Sequence, residues 1–207
     1  MLISVLVGFA IFIFSVVLHE IAHGWVAVKL GDLTPKLDGR LTLNPMAHAD
    51  LWGSVLIPLM CLISGAPVFG WAKPVETHYV GTVDIGKFRL NGDLLVSLAG
   101  VVMNFLLALA AGLLLRLMVL KMPGDVLWLA EILAQVVWIN VLLGVFNLWP
   151  IPPLDGWRIW GVLLPFDWQM FIERYAMVFL MLLFWFANYL PTYWAAKILF
   201  SLITGIA

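Results

Sequence analysis

The sequence predicts an all-α polytopic membrane protein: about four full transmembrane helices, one re-entrant hydrophobic segment and short membrane-associated strands. Three observations carry that reading. The chain of 207 residues is 64% hydrophobic and only 11% charged, whereas a soluble domain is nearer half apolar and a quarter charged. Its mean hydropathy is +1.06. Its apolar residues are gathered into runs of spanning length, with the charges collected in the connections between them. One domain, 1–207, accounts for the whole chain. A formal net charge of −1 offers no basic surface to nucleic acid. The lone cysteine, Cys61, excludes an intrachain disulfide and a thiolate zinc site. Within its apolar run it reads as a small buried hydrophobe.

The elements follow in order. Residues 1–28 would make a helix of about 42 Å, long enough to cross with a polar tail. They lack a basic leading region, so they do not read as a cleavable signal. Residues 51–72 are uncharged but contain Gly53, Pro58, Gly65, Pro67 and Gly70. That content suits a broken, re-entrant element more than a through-going helix. Residues 94–115 are uncharged and rich in leucine and alanine. Residues 126–149 hold one charge, Glu131, and residues 175–196 hold none. The last stretch, 198–207, is too short to span and is expected to lie in the interface. The polar connections 29–50 and 73–93 carry turn signals at Asp38-Gly39, Asn44-Pro45 and Asn91-Gly92. Short alternating pieces in these connections, Arg40-Leu41-Thr42-Leu43 for example, could form strands. No internal repeat is evident, and no appended soluble domain is expected.

The chemistry begins at His19-Glu20-Ile21-Ala22-His23. On a helix, residues i and i+4 share a face, so both imidazoles can hold one metal ion. Glu20 projects beside them, where it can serve as a general base toward a water near the metal. Three ionisable groups in a bilayer segment are expensive, which favours function over helix-packing histidines with a stray acid. A hydrolytic zinc site takes three protein ligands and keeps one position open. The best third ligand is Asp155, in the stretch Asn147-Leu148-Trp149-Pro150-Ile151-Pro152-Pro153-Leu154-Asp155-Gly156. Its prolines unwind the chain at a helix end, and Gly156 adds freedom. Asn147 has an amide that could donate to a developing oxyanion. The plainer reading of Asp155 is a solvated turn residue. His48, near Asp50, is either an extra ligand or gate, or an interfacial polar residue. Gly100 and Asn104 read as small-residue helix packing with an interhelical hydrogen bond, a role compatible with supporting the site. Trp149, Trp157 and Trp160 read as interfacial anchors.

Topology links these parts. The histidines lie in the C-terminal half of the first span, and Asp155 follows the end of segment 126–149. They share a membrane face if 51–72 dips in and returns, and lie on opposite faces if it crosses. With the re-entrant topology, Lys29, Lys36, Arg40, Lys73, Lys87, Arg89, Arg158 and Arg174 flank the site. Only Arg116, Lys121 and Lys197 fall on the other side. The positive-inside rule then directs the site to the cytoplasm.

On these motifs the chain resembles the site-2 protease family of intramembrane zinc metalloproteases, in a compact prokaryotic form. His19-Glu20-x-x-His23 is similar to the family's first motif, and Asn147 to Gly156 to its second. Gly100-Val101-Val102-Met103-Asn104 resembles its Gly-x-x-x-Asn, with Val101 where proline is common. Arg40-Leu-Thr-Leu-Asn44-Pro45 and Gly70-Trp71-Ala72-Lys73-Pro74-Val75 resemble further pieces. The similarity covers roughly residues 10–185. It implies one zinc ion held by His19, His23 and Asp155, a water activated by Glu20, and support from Asn147. It implies a catalytic core of about 1–28, 94–120 and 126–156. The implied substrates are transmembrane or membrane-associated protein segments in a prokaryotic cell membrane. Compared with larger members, a helix before the histidine motif and PDZ or CBS modules are not evident. Strand addition at residues 32–48 or 73–82 would hold a substrate extended; plain interfacial loops are the alternative. The rival class is a divalent-metal transporter using the same four polar residues, for which paired repeats would be expected. A relative that binds membrane segments without cutting them would not require Glu20. Cobalt or iron suits the same donor set.

Overall fold

The computed structural model describes residues 2–57, 60, 63, 72–78, 81–85, 88–121, 127–186 and 191–206. Helix α1 (Leu2–Lys29) is followed by the short α2 (Thr34–Leu37), a 3-10 turn (Pro45–His48) and a π-helical turn (Leu51–Leu56). A hairpin of β1 (Thr82–Ile85) and β2 (Phe88–Asn91) leads into α3 (Gly92–Lys121) and α4 (Leu127–Asn147). Then come α5 (Asp155–Trp160), a 3-10 turn (Gly161–Leu163), α6 (Phe166–Arg174), α7 (Ala176–Trp185) and α8 (Pro191–Thr204).

Among the described residues, three helices are long and apolar enough to cross a membrane: α1, α3 and α4. None of the three contains proline. Helix α3 starts where the Asn91 side chain accepts the Asp93 N–H at 2.9 Å, and Asp93 complements the dipole of its first turn. Helix α4 stops before Pro150, whose ring cannot continue a helix. The three helices run antiparallel in sequence, so the C-terminal half of α1, the N-terminal half of α3 and the end of α4 meet at one end of the bundle. Small residues allow the close approach. A methyl group on Gly144 would sit 2.9 Å from the Phe105 ring. One on Gly112 would sit 2.2 Å from the Ile203 side chain. In lipid such packing, rather than exclusion of water, drives helix association.

The expected fourth span, 175–196, is divided between α7 and α8, of 10 and 14 residues. A helix of 10 residues covers about 15 Å, half of a hydrocarbon core. Pro191 opens α8, where its missing N–H costs nothing. Residues 198–204 belong to α8. Ala196 is fully buried against Ala108, Ala111, Val137 and Val141, with Leu199, Phe200 and Ile203 packed on the same cluster. Arg116 closes the far end of this contact by donating to the Leu202 carbonyl.

At 40–43 the strand expectation needs correction. Residues 41–43 form bends, and helical turns occupy 34–37 and 45–48. Proline stands in the first turn of each, and Asn44 caps the second by accepting the Met46 N–H. Arg40 is buried and donates to the Ala47 carbonyl. The ladder lies later in the chain, pairing Thr82 with Asn91 and Ile85 with Phe88. Most of segment 51–72, with Cys61, falls outside the described residues. Its flanks are informative: Lys73 N donates to the His48 carbonyl at 2.8 Å, so the two ends of this stretch lie side by side.

Candidate metal centre

The i, i+4 spacing places His19 and His23 one above the other on α1, their rings 4.6 Å apart and nearly perpendicular. Both are buried, at 6% and 8% exposure. Asp155 arrives from the first turn of α5. Three nitrogen and oxygen contacts close the cluster. His19 Nε2 lies 3.0 Å from His23 Nε2, 3.1 Å from Asp155 Oδ2, and His23 Nε2 lies 3.2 Å from Asp155 Oδ1. These are the described residues that together could hold a metal ion.

The donor set fits a metal on two counts. First, the imidazole hydrogens are engaged elsewhere. His23 Nδ1 is 2.6 Å from the Val96 carbonyl, which can only accept. His19 Nδ1 is 2.6 Å from Asn104 Oδ1. In the neutral rings, both Nε2 atoms therefore point lone pairs at each other and at a carboxylate. Asp155 Oδ2 is buried without a hydrogen-bond donor among the described residues. Converging acceptors of this kind require a cation between them. Second, the spacing is right: four-coordinate zinc with ligands at about 2.0–2.1 Å has ligand–ligand edges of roughly 3.3 Å.

Two glycines make the cluster possible. A methyl group on Gly100 would stand 2.4 Å from His23 Nε2 and 2.5 Å from His19 Cε1. Its reason is therefore the space the imidazoles occupy, more than helix packing. One on Gly156 would stand 2.3 Å from the Leu148 carbonyl group, so only glycine lets α5 tuck against the end of α4. The tryptophans brace this turn. Trp149 donates to Thr192 on α8 at 2.7 Å, and Trp160 donates to the Leu148 carbonyl at 3.1 Å. Trp157 reaches Glu173 on α6 at 3.3 Å.

Glu20, half-buried, accepts the Val75 N–H at 2.8 Å. Residues 72–78 thus form a strap across the C-terminal half of α1. Val75 is buried there over Gly24, and the strap is tied down by the His78 N–H on Asp32 at 2.7 Å. Asp32 is held below its ordinary range: what burial it has raises it, and bonds from Thr34 and His78 lower it more.

The other expected residues are placed as follows. Asn147 donates one amide hydrogen back to the Leu143 carbonyl at 3.0 Å. Asn104 is fully buried between His19 and Asn140, so its side chain faces the histidine. His48 stands apart from the cluster. It is 2% exposed, with Nε2 3.0 Å from the Thr42 carbonyl, and braces its own loop. Sequence reasoning missed the roles of Val75, Val96 and Asn140. Of these, Asn140 had a legible signal, a carboxamide in the middle of an apolar span.

Helices long and apolar enough to cross a membrane thus bring two histidines, beside a glutamate, against an aspartate from a short helix, three side chains that could hold a metal ion. Known proteins agree. "Putative zinc metalloprotease YwhC" of Bacillus subtilis is 42% identical over 157 residues, covering 74% of this chain and 67% of that protein. "Putative zinc metalloprotease Rip2" of Mycobacterium tuberculosis is 33% identical over 174 residues, covering 82% of this chain and 63% of the relative. The protein of the same name from Mycolicibacterium smegmatis is 31% identical over 144 residues, 69% of this chain and 51% of its own. The chain thus spans between about half and two thirds of the length of these relatives. No family model matches it. No solved structure matches it. The chain belongs to the site-2 protease family of zinc metalloproteases.

Proposed function

We propose that this chain is an intramembrane zinc metalloprotease of the site-2 type, hydrolysing peptide bonds of protein segments in or beside the bilayer. The observation that carries the reading is the convergence of three acceptors, two of them on a helix of spanning character and next to a glutamate, the third on the short α5. One zinc ion would be held by His19, His23 and Asp155. When bound, zinc lowers the pKa of a water to about 7 and polarises a carbonyl. Glu20 takes a proton from the attacking water and passes it to the leaving amine. The Val75 N–H holds that carboxylate in place. Asn147 keeps a second amide hydrogen for the developing oxyanion.

The substrate must be locally unwound, since a helix hides its peptide bonds. The extended strap 72–78 has no ladder partner among the described residues and runs beside Glu20, which supports laying an unwound segment there. The meeting of His48 and Lys73 supports a re-entrant 51–72. A site facing the cytoplasm follows from the basic residues around it. The transporter reading has less support: a transport site has no need of a carboxylate held by a backbone N–H next to an open metal position.

The test is metal content and cleavage of a transmembrane substrate by purified wild type, Glu20→Gln and Asp155→Ala. Wild type should hold about one zinc and cut. Glu20→Gln should keep zinc and lose about 10²–10⁴ in rate, the usual worth of a general base. Asp155→Ala should lose zinc. Undiminished cleavage by Glu20→Gln would reject the mechanism.

A further inference from the structure

His19 is oriented by a line of buried amides that the proposed reaction does not use. Asn104 Oδ1 lies 2.6 Å from His19 Nδ1. Asn104 Nδ2 donates to Asn140 Oδ1 at 3.2 Å. Asn140 Nδ2 donates at 2.9 Å to the Val136 carbonyl and at 2.9 Å to Ser15 Oγ. The line joins α1, α3 and α4, and none of its side chains is more than 6% exposed.

The line has a direction, and its far end sets it. A backbone carbonyl can only accept, so Val136 fixes which end of the Asn140 amide is nitrogen. Asn140 then offers only oxygen to Asn104. Asn104 must answer with nitrogen, which leaves its own oxygen for His19. His19 must then carry its hydrogen on Nδ1 and present a bare Nε2 to Asp155 and His23. Each assignment forces the next. His23 reaches the same state in one step, through the Val96 carbonyl.

We propose that Asn140 is a positioning residue for the metal centre: by fixing the orientation of Asn104, it sets the tautomer and ring direction of His19. The inference rests on the zinc reading above. Interhelical packing alone would explain a polar contact between α3 and α4 but not its dependence on direction. Partners one step removed from a metal ligand commonly affect metal affinity about ten- to a hundredfold.

The experiment uses zinc-loaded protein in detergent: wild type, Asn140→Leu and Ser15→Ala. Zinc affinity is read by chelator competition and thermal stability by melting. Asn140→Leu should weaken zinc by about three- to tenfold, less than loss of a partner in direct contact with a ligand. Ser15→Ala should lower the melting temperature and keep wild-type affinity, because Val136 still orients Asn140. Unchanged affinity in Asn140→Leu, or equal losses in both variants, overturns the inference and leaves Asn140 to packing. Should Asn140→Leu fail to accumulate, histidine ring-nitrogen NMR of zinc-loaded protein decides. In a His48→Gln, His78→Gln background both remaining rings should carry hydrogen on Nδ1 and bind zinc through Nε2; a His19 bound through Nδ1 overturns the inference. If wild type holds no zinc, the protease reading itself falls, a result distinct from zinc held equally by wild type and Asn140→Leu.

Discussion

At Gly100 the absence of a side chain is the whole contribution. Two imidazoles fill the space that any other residue would claim. Because Gly100 lies inside α3, the helix backbone cannot step aside, and the rings would have to turn off their shared axis. Overpacking of this kind costs about 1–3 kcal/mol, or roughly ten- to a hundredfold in affinity. Gly100→Ala should therefore fold and insert but bind zinc that much more weakly, measured by chelator competition. Normal zinc affinity with lost stability would return Gly100 to simple helix packing. Glycine with a fourth-residue asparagine is legible in the sequence as a packing pattern. The rings that need the gap come from α1, some 80 residues earlier in the chain, so spacing could not reveal them.

The strap 72–78 is the element whose role the structure changes most. The sequence reads it as a polar connection with the option of strand addition. In the fold it crosses α1 and gives a backbone hydrogen to Glu20. A hydrogen bond to a charged group is worth about 1.5–3 kcal/mol. Val75→Pro removes that hydrogen while leaving the three candidate zinc ligands untouched. Its expected effect is a kcat lowered about ten- to a hundredfold with zinc content unchanged, read by steady-state cleavage beside metal analysis. If both fall together, the strap supports the fold of α1 instead of positioning its glutamate. The turn at α5 was more legible. Prolines and Gly156 announce a break after α4, and a carboxylate at such a break is a ligand candidate. What could not be read is that Trp149 and Trp160, plausible interfacial anchors by type, spend their N–H groups holding this turn to α8 and to the end of α4.

Across the whole molecule, charge and geometry point the same way. The metal-centre end of the bundle receives α2 and the strap, with Lys36 and Lys73. The opposite end receives the end of α3, with Lys121. In a Cys61→Ser background, an impermeant thiol reagent added to intact cells should label Lys121→Cys and spare Lys36→Cys. Inverted vesicles should reverse the pattern. The same pattern in reverse would turn the site outward and remove the cytoplasmic assignment, while leaving the chemistry of the centre intact.

Composition and local periodicity were enough for the membrane class, for three helices of spanning length, α1, α3 and α4, and for the pairing of His19 with His23. Hydropathy and the helical repeat act over a few residues, so they are written along the chain. The division of 175–196 into two helices, and the burial of α8, depended on which surfaces were available to cover. The orientation of His19 depended on Asn104, 85 residues away, and on Asn140 beyond it. Those assignments belong to the tertiary structure, because a hydrogen bond across packed helices is set by distance in space and leaves no period in the sequence.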